Sequence, residues 1–261
     1  MIRENLIRQI KQKGTCLCVG LDTDAAKLPL NLKGKPNAIL EFNKQIIEAT
    51  ANLCVAYKIN TAFYECLGAP GWEIMEETLS YIPKGIFTIA DAKRGDIGNT
   101  SERYAKAFFE RLNFDAITVS PYMGGDSVKP FLEFKNKVTI VLALTSNVGS
   151  ADFEQLKTGD KYLYEQVLST SQQWGTIENM MYVVGATKAE ALMTIREIVP
   201  HHFLLIPGVG AQGGNLQDVL KYGAIKDEVG LLINSSRQIL YASNGEDFAE
   251  KARDEAKKYL H

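Results

Sequence analysis

Residues 87–112 read FTIADAKRGDIGNTSERYAKAFFERL, and this stretch contains the unit from which the whole chain is built. It begins with a short apolar run, FTIADAK, and passes through a charged turn into a helical candidate at residues 101–112. Apolar runs of this length, rich in β-branched residues, are typical of buried strands. The stretch therefore predicts one strand followed by one helix.

Seven further apolar runs of strand length repeat this unit along the chain. Their nearly continuous hydrophobicity is typical of parallel strands that are covered on both faces. The runs are TCLCVGLD from Thr15, AYKINTAF from Ala56, AITVSPY from Ala116, VTIVLALTS from Val138, MYVVGAT from Met181, FLLIPGVG from Phe203 and GLLINSS from Gly230.

The segments between these runs have helical periodicity. Apolar residues step by three and four positions from Ile39 and again from Phe248, and residues 188–198 are a further helical candidate. Eight strand–helix alternations predict an α/β fold, a single (β/α)8 TIM barrel that occupies residues 1–261 as one domain. A doubly wound open sheet is the alternative. Two long insertions, residues 23–36 and 147–176, are expected to be functional loops.

Composition excludes several classes of function. The net charge of −2 provides no global field for nucleic acid or an anionic membrane. No stretch reaches the ~20 apolar residues that span a bilayer, and the charged N-terminal segment MIRENLIRQIKQKG lacks the apolar core of a signal peptide. The cysteines are expected to be buried, reduced thiols, and because the cytoplasm keeps thiols reduced, we expect a cytoplasmic protein. They are Cys16, Cys18, Cys54 and Cys66.

Histidine chemistry is not expected at the site. None of His201, His202 and His261 lies at the end of a predicted strand. A Ser–His–Asp triad and a histidine-rich metal site are therefore both unexpected. His201 and His202 are predicted to be solvated residues at the end of a helix or at the start of a loop.

Polar residues recur where the predicted strands end, which is where TIM barrels build their active sites. In chain order they are Asp22, Lys58, Asp91 with Lys93, Ser120, Ser146, Thr187, the glycines after Pro207, and Arg237. Lys58, Asp91, Lys93 and Asp96 are expected to form a row of alternating charge. Buried charges are costly unless they are paired, and ionisable groups with perturbed pKa values cluster at functional sites, so this row predicts an active site. The alternative is a salt bridge network that only joins the strands.

A glycine-rich segment follows the seventh run. PGVGAQGGN from Pro207 formally matches the dinucleotide motif G-x-G-x-x-G, but that motif belongs after the first strand of a Rossmann unit. A loop that offers backbone N–H groups to a phosphate fits its position better. Arg237, which follows the eighth run, is expected to bind the same phosphate. The alternatives are a plain flexible loop and a surface arginine.

These motifs together resemble one family. D-x-K-x-x-D at Asp91, with CVGLD, the Lys58 strand, LTSN, SPYMGGDSVKPF, PGVGAQGG and SSR in order, resembles the orotidine 5′-phosphate decarboxylases in their longer bacterial form. The resemblance implies a TIM barrel that converts orotidine 5′-monophosphate to uridine 5′-monophosphate and CO2. It implies neither a cofactor nor a metal ion.

The resemblance also implies the catalytic roles. Lys93 is the expected proton donor to the pyrimidine carbon, and Asp91 lies beside the leaving carboxylate and keeps Lys93 charged and in place. Lys58 pairs with Asp91 and reaches the ribose. Asp96 and Thr100 are expected to cross a homodimer interface and complete the neighbouring site.

Binding roles are implied for a further set of residues. Asp22 is expected to contact a ribose hydroxyl and Ser146 the pyrimidine amide edge, with Ser120 as the alternative for the base. The remaining residues implied in substrate binding, chiefly at the phosphate, are Pro207, Gly210, Gln212, Ser236 and Arg237.

Two other functions are compatible with the pattern. D-x-K-x-x-D also resembles related barrel enzymes, the keto-sugar-phosphate decarboxylases and hexulose-phosphate synthases, for which Mg2+ and an enediolate are implied. The TSN and AQGG segments favour the pyrimidine enzyme. A binding protein without catalytic activity is the third possibility, but phosphate binding alone does not require the whole charge row.

Overall fold

The computed structural model describes residues 2–185, 189–209 and 215–260, and in them eight parallel strands close into a barrel. The strands are β1 (Leu17–Gly20), β2 (Ala56–Asn60), β3 (Phe87–Arg94), β4 (Ala116–Val119), β5 (Val138–Leu144), β6 (Met180–Val184), β7 (Leu204–Pro207) and β8 (Leu231–Ser235). Each pairs with its neighbours in sequence, and β8 returns to β1. The predicted TIM barrel is confirmed, and the open-sheet alternative is wrong.

Helices follow the strands and cover the barrel. They are α1 (Ile2–Lys13), α2 (Ala38–Thr50), α3 (Ala62–Glu65), α4 (Ala69–Tyr81), α5 (Gly98–Lys106), α6 (Gly125–Leu132), α7 (Leu163–Ser171), α8 (Ala189–Ile198), α9 (Leu216–Gly223), α10 (Arg237–Leu240) and α11 (Phe248–Lys257). The helix expected at residues 101–112 begins earlier, at Gly98, and continues beyond α5 as a π-helical segment, Ala107–Arg111. None of the described helices is both long and apolar enough to cross a bilayer.

The periodic apolar residues form the packing between helices and barrel. Phe42 of α2 and Phe248 of α11 are both fully buried, and their rings stack with centroids 5.0 Å apart. The last helix therefore packs on the first helix that follows a strand. Burial of a phenylalanine side chain contributes about 2–3 kcal/mol to stability, so this contact stabilises the packing of the last helix against α2.

Both predicted insertions contain ordered structure. The first includes a short 3-10 turn, Ala25–Lys27, capped by the carboxylate of Asp24. The second contains a 3-10 turn at Val148–Asp152 and a hairpin that pairs Lys157–Thr158 with Lys161–Tyr162, and it ends in α7. Residues 147–176 are therefore a small subdomain on the carboxyl-terminal side of β5 rather than a loop alone.

The expected solvation of His202 is wrong. His201 is exposed, but His202 is only 6% exposed and meets the Tyr182 ring edge-on, with centroids 5.2 Å apart. Burial, with the neighbouring charges of Arg196 and Arg3, lowers the pKa of His202 to about 4. The chain turns inward again directly after His201, and two adjacent histidines do not indicate which of them faces the core.

Candidate active site

Four charged side chains form a row at the carboxyl ends of β1, β2 and β3. Lys58 Nζ lies 3.1 Å from Asp22 Oδ1 and 2.9 Å from Asp91 Oδ2. Lys93 Nζ lies 2.6 Å from the other oxygen of Asp91, Oδ1. The order is therefore Asp22–Lys58–Asp91–Lys93, with the charge alternating at each step.

The two central residues of this row, Lys58 and Asp91, are largely buried. The Lys58 side chain is 5% exposed and that of Asp91 is 11% exposed. Burial alone would raise the pKa of Asp91, but the ammonium groups of Lys58 and Lys93 outweigh it and hold this pKa below its usual range. Burial would likewise lower the pKa of Lys58, yet Asp22 and Asp91 raise it. Both groups therefore remain ionised at neutral pH.

Lys93 stands where β3 departs from regular geometry. Its φ is 46°, in the left-handed region that lysine rarely adopts, and the β3–β4 register shifts between Ala90 and Arg94. The side chain is 49% exposed and points into the mouth of the barrel beside Asp91. Lys93 is thus held at the edge of the site, where a substrate can reach its ammonium group.

Thr118 of β4 contacts both members of the Asp91–Lys93 pair. Its Oγ1 accepts the backbone N–H of Lys93 at 2.9 Å and donates to Asp91 Oδ1 at 3.0 Å. Sequence reasoning missed this residue. The signal was present, because Thr118 is the one polar side chain of β4, whose sequence is AITV.

Two adjoining cavities open beside the charge row. The first, of about 240 Å³, has an apolar floor that is formed by Leu142, Val183 and Leu205. The second, of about 170 Å³, extends towards Arg237. Both are lined by Lys58, Asp91, Pro207 and Asn234. The arrangement suits a ligand with a flat, weakly polar end in the first cavity and an anionic end in the second.

The two serines that were expected to contact the pyrimidine ring of a substrate lie in different places. Ser146 lines the first cavity together with the lysines. Ser120 lines a separate and mostly apolar cavity of about 210 Å³. A Cβ added to Gly185 would lie 2.9 Å from Ser146 N, so this glycine lets the Ser146 backbone approach β6. The geometry therefore favours Ser146 over Ser120.

Space for Ser236 is made by the glycine of the CVGLD motif. A Cβ on Gly20 would lie 1.9 Å from Ser236 Oγ, so only glycine leaves room for that hydroxyl. Asn234, which the sequence analysis missed, donates to Ser236 Oγ at 3.3 Å. Its buried Oδ1 finds no hydrogen-bond partner among the described residues. Asn234 is therefore a further polar group available to a ligand.

The expected phosphate residues are described only in part. Pro207 ends β7, and Arg237, which is exposed, begins α10 and lines the second cavity. Gly210, Gln212 and Thr187 lie outside the described residues. Within the described ranges, the positively charged side chains that line the second cavity are therefore those of Lys58 and Arg237.

Asp96 does not join the row within one chain. Its Oδ1 accepts the N–H of Ile97 at 2.8 Å, and no ion pair joins it to Lys93 within the described part of the chain. Thr100, in the first turn of α5, donates its N–H to Ile97 O at 3.1 Å. Asp22 instead extends the row of a single chain at the other end, beside Lys58, and the place that was expected for Asp96 beside Lys93 is not taken by Asp22.

A carboxylate from the 147–176 subdomain supports the segment that carries Ser146. Glu154 Oε2 accepts the backbone N–H of Thr145 at 2.6 Å, and Oε1 accepts the Thr145 hydroxyl at 2.9 Å. Thr145, Ser146 and Asn147 all line the first cavity. Nothing in the sequence marked Glu154, because its contact depends on how the subdomain folds back.

No three His, Cys, Asp or Glu side chains are placed to hold a metal ion in residues 2–185, 189–209 and 215–260.

Comparison with known proteins gives consistent matches. Residues 15–252 match the model of the orotidine 5′-phosphate decarboxylase / HUMPS family. The orotidine 5′-phosphate decarboxylase of Flavobacterium johnsoniae is 60% identical over 261 residues, which cover 99% of this chain and 95% of that one.

Solved structures agree with these sequence matches. The OMP decarboxylase of Leishmania donovani is 38% identical with a TM-score of 0.84, over 99% of this chain and 98% of that one. The UMP synthase of the same organism is 40% identical with a TM-score of 0.85, over 98% of this chain. The match covers 56% of the UMP synthase, so this chain spans about half of its length.

Proposed function

Because the chain belongs to the orotidine 5′-phosphate decarboxylase / HUMPS family, we propose that it is a carboxy-lyase that converts orotidine 5′-monophosphate to uridine 5′-monophosphate and CO2. This reaction would serve pyrimidine nucleotide synthesis. The observation that carries the proposal is the Asp22–Lys58–Asp91–Lys93 row, which adjoins a cavity with an apolar floor. Binding of a phosphate alone does not require such a row.

Lys93 is the proton donor in this proposal. Loss of CO2 leaves an electron pair on the pyrimidine carbon in an orbital that the ring does not delocalise. A fixed ammonium group at the cavity can stabilise that negative charge and then deliver its proton to the same carbon. The proposed reaction uses no cofactor, since the charges of the chain itself act on the reacting carbon.

Asp91 and Lys58 keep this ammonium group in place. Asp91 holds Lys93 through Oδ1 and is itself held by Lys58 through Oδ2. With substrate bound, Asp91 would lie beside the leaving carboxylate. Lys58 and Asp22, which line the second cavity, would contact the ribose. A row that is already paired needs little rearrangement as the charge of the substrate changes.

The two ends of the nucleotide would be bound by different elements. Ser146 would contact the pyrimidine amide edge in the first cavity, while Pro207 and Ser236 line the second. Arg237, with Gln212 and a loop around Gly210, would bind the phosphate. Binding energy gained at the phosphate can lower the barrier at the distant carbon if it closes the site against water.

We further propose a homodimer in which Asp96 and Thr100 complete the site of the neighbouring subunit. Asp96 is not engaged with Lys93 of its own chain, and Ile97 beside it is 56% exposed. Tyr122 and Met123, which follow β4, are 82% and 48% exposed. Apolar side chains exposed around a site are typical of a surface that another subunit covers.

Mixing two inactive variants tests the shared site. Lys93→Ala and Asp96→Ala chains, unfolded and refolded together, should regain about a quarter of wild-type activity, since half of the dimers are mixed and each has one intact site. No recovery, or a monomer by light scattering, would contradict the dimer proposal.

We place the reaction in the cytoplasm, where the buried and unpaired Cys16 and Cys18 stay reduced.

An ultraviolet assay of orotidine 5′-monophosphate consumption tests the activity itself. We expect the purified protein to form uridine 5′-monophosphate at the same rate with and without EDTA. Absence of turnover would contradict the proposed function. Turnover that disappears with EDTA and returns with Mg2+ would contradict the metal-free mechanism.

A further inference from the structure

The hydroxyl of Thr118 lies between the two residues to which the chemistry is assigned. It accepts the Lys93 N–H and donates to Asp91 Oδ1. Thr118 is fully buried within an otherwise apolar strand. We propose that Thr118 is a positioning residue for decarboxylation, whose hydroxyl fixes the Lys93 backbone and the Asp91 carboxylate relative to each other. This inference rests on the proposed function, because that function assigns the proton to Lys93.

The Lys93 backbone requires such a partner. The pairing of β3 with β4 shifts register between Ala90 and Arg94, so the Lys93 N–H falls outside the regular ladder. A backbone N–H in a protein interior is nearly always hydrogen-bonded. The left-handed φ of 46° is also unfavourable for a side chain such as lysine, and such a conformation persists only where its surroundings enforce it. The Thr118 hydroxyl, 2.9 Å away, supplies that constraint.

The same hydroxyl determines how Asp91 is oriented. A hydroxyl carries one proton, and because Thr118 Oγ1 accepts from Lys93 N, its own proton is free to point at Asp91. Asp91 Oδ1 thus receives Thr118 at 3.0 Å and the Lys93 ammonium at 2.6 Å, while Oδ2 receives Lys58 at 2.9 Å. Three donors fix the plane of the carboxylate. Without the hydroxyl, the carboxylate can rotate about its Cβ–Cγ bond.

Lys93 is therefore tied to Asp91 twice, once through its ammonium group and once through its backbone by way of Thr118. Reaction rates can fall about a hundredfold when a reacting group is displaced by about 1 Å. A protein that lacks the hydroxyl should still bind nucleotide, because Thr118 does not line either cavity beside the row. It should lose rate at the chemical step.

Three variants test the inference. Thr118→Val removes only the hydroxyl at nearly constant shape, and Thr118→Ser restores it. The control is Thr139→Val on β5, since Thr139 is also fully buried but its hydroxyl has no hydrogen-bond partner among the described residues. We expect kcat of Thr118→Val to fall about ten- to hundredfold, as for loss of a hydrogen bond to a charged group. The Kd for uridine 5′-monophosphate should change less than about threefold, and Thr118→Ser and Thr139→Val should stay near wild type.

Wild-type kcat in Thr118→Val would overturn the inference, and so would equal losses in the valine and serine variants. A proportional loss of uridine 5′-monophosphate binding would also overturn it, because the effect would then lie in the fold or in binding. A crystal structure of Thr118→Val provides a readout without substrate. We expect Lys93 to leave the left-handed region or its ammonium to move away from Asp91. That result would show that the hydroxyl fixes Lys93 against Asp91 whether or not the wild-type protein decarboxylates the nucleotide, so a failure of the proposed function can be told apart from a failure of the positioning contact.

Discussion

Lys58 reaches Asp91 diagonally across the β2–β3 pair, with Nζ 2.9 Å from Oδ2, although the residue in register with Asp91 is Asn60. The long lysine side chain spans this offset and also reaches Asp22. The result is a buried cation between two carboxylates. Because isolated buried charges are strongly disfavoured, each member of the row depends on the others for its ionised state.

Replacement of Lys58 by methionine should therefore destabilise the protein by about 3 kcal/mol, since the half-exposed Lys93 is then the one ammonium group left to Asp91 among the described residues. The pKa of Asp91 should rise. In the double variant Lys58→Met/Asp91→Asn most of the stability should return, because the uncompensated charge is gone, whereas activity should remain absent. Urea unfolding and turnover measure the two effects. Additive losses of stability in the double variant would contradict this coupling.

The Lys93→Ala variant should lose turnover and keep nucleotide binding. Lys93 is 49% exposed, so its removal should cost less than about 1 kcal/mol of unfolding free energy. Single-turnover kinetics and calorimetry with uridine 5′-monophosphate separate the two properties. Lys106→Ala, which removes a lysine of 40% exposure from α5, is the control and should behave as wild type. Near-normal turnover of Lys93→Ala would rule out the assigned proton donor.

Truncation of Arg237 should affect the phosphorylated substrate selectively. With Arg237→Ala we expect kcat/KM for the whole nucleotide to fall by about one to two orders of magnitude, as for loss of a charge-assisted contact. For the nucleoside without phosphate the change should be small. Equal losses on both substrates would show that Arg237 does not bind the phosphate.

Glu154 should influence substrate binding from outside the cavity. Because Glu154 accepts the backbone N–H of Thr145 and shares the Thr145 hydroxyl with Asn147, Glu154→Ala removes one support of the segment that carries Ser146. We expect KM to rise about tenfold with a smaller change in kcat. Asp160→Ala, at an exposed position of the same subdomain, should leave both constants unchanged. An unchanged KM in Glu154→Ala would mean that the subdomain does not position Ser146.

Acid should destabilise the fold through His202. Its pKa is about 4 in the folded protein and near 6.5 when unfolded, so between these values the unfolded chain binds more protons. Stability is therefore complete above pH 6.5 and falls as the pH is lowered towards 4, by about 3 kcal/mol in total. The urea concentration at the midpoint of unfolding measures this loss of stability as a function of pH. In His202→Phe the part of the pH dependence that comes from His202 should be absent. The exposed neighbour provides the control, since His201→Gln should retain it.

The barrel and most of its site could be predicted from the sequence because their signals are local. Every barrel strand was marked by a continuous apolar run, since parallel strands are buried on both faces. The ends of those runs marked Asp22, Lys58, Asp91 and Lys93, because strand ends converge at one mouth in a closed barrel. The family motifs then assigned their chemistry.

What the sequence determined by itself is therefore the order of strands and helices and the identity of the charges at the mouth. Only the tertiary structure decided which groups contact one another. The Thr118 hydroxyl, the Glu154 carboxylate and the burial of His202 each depend on neighbours that are distant in the chain. Hydrogen bonds act over about 3 Å, and sequence periodicity predicts the face on which a side chain lies but not distances of that size.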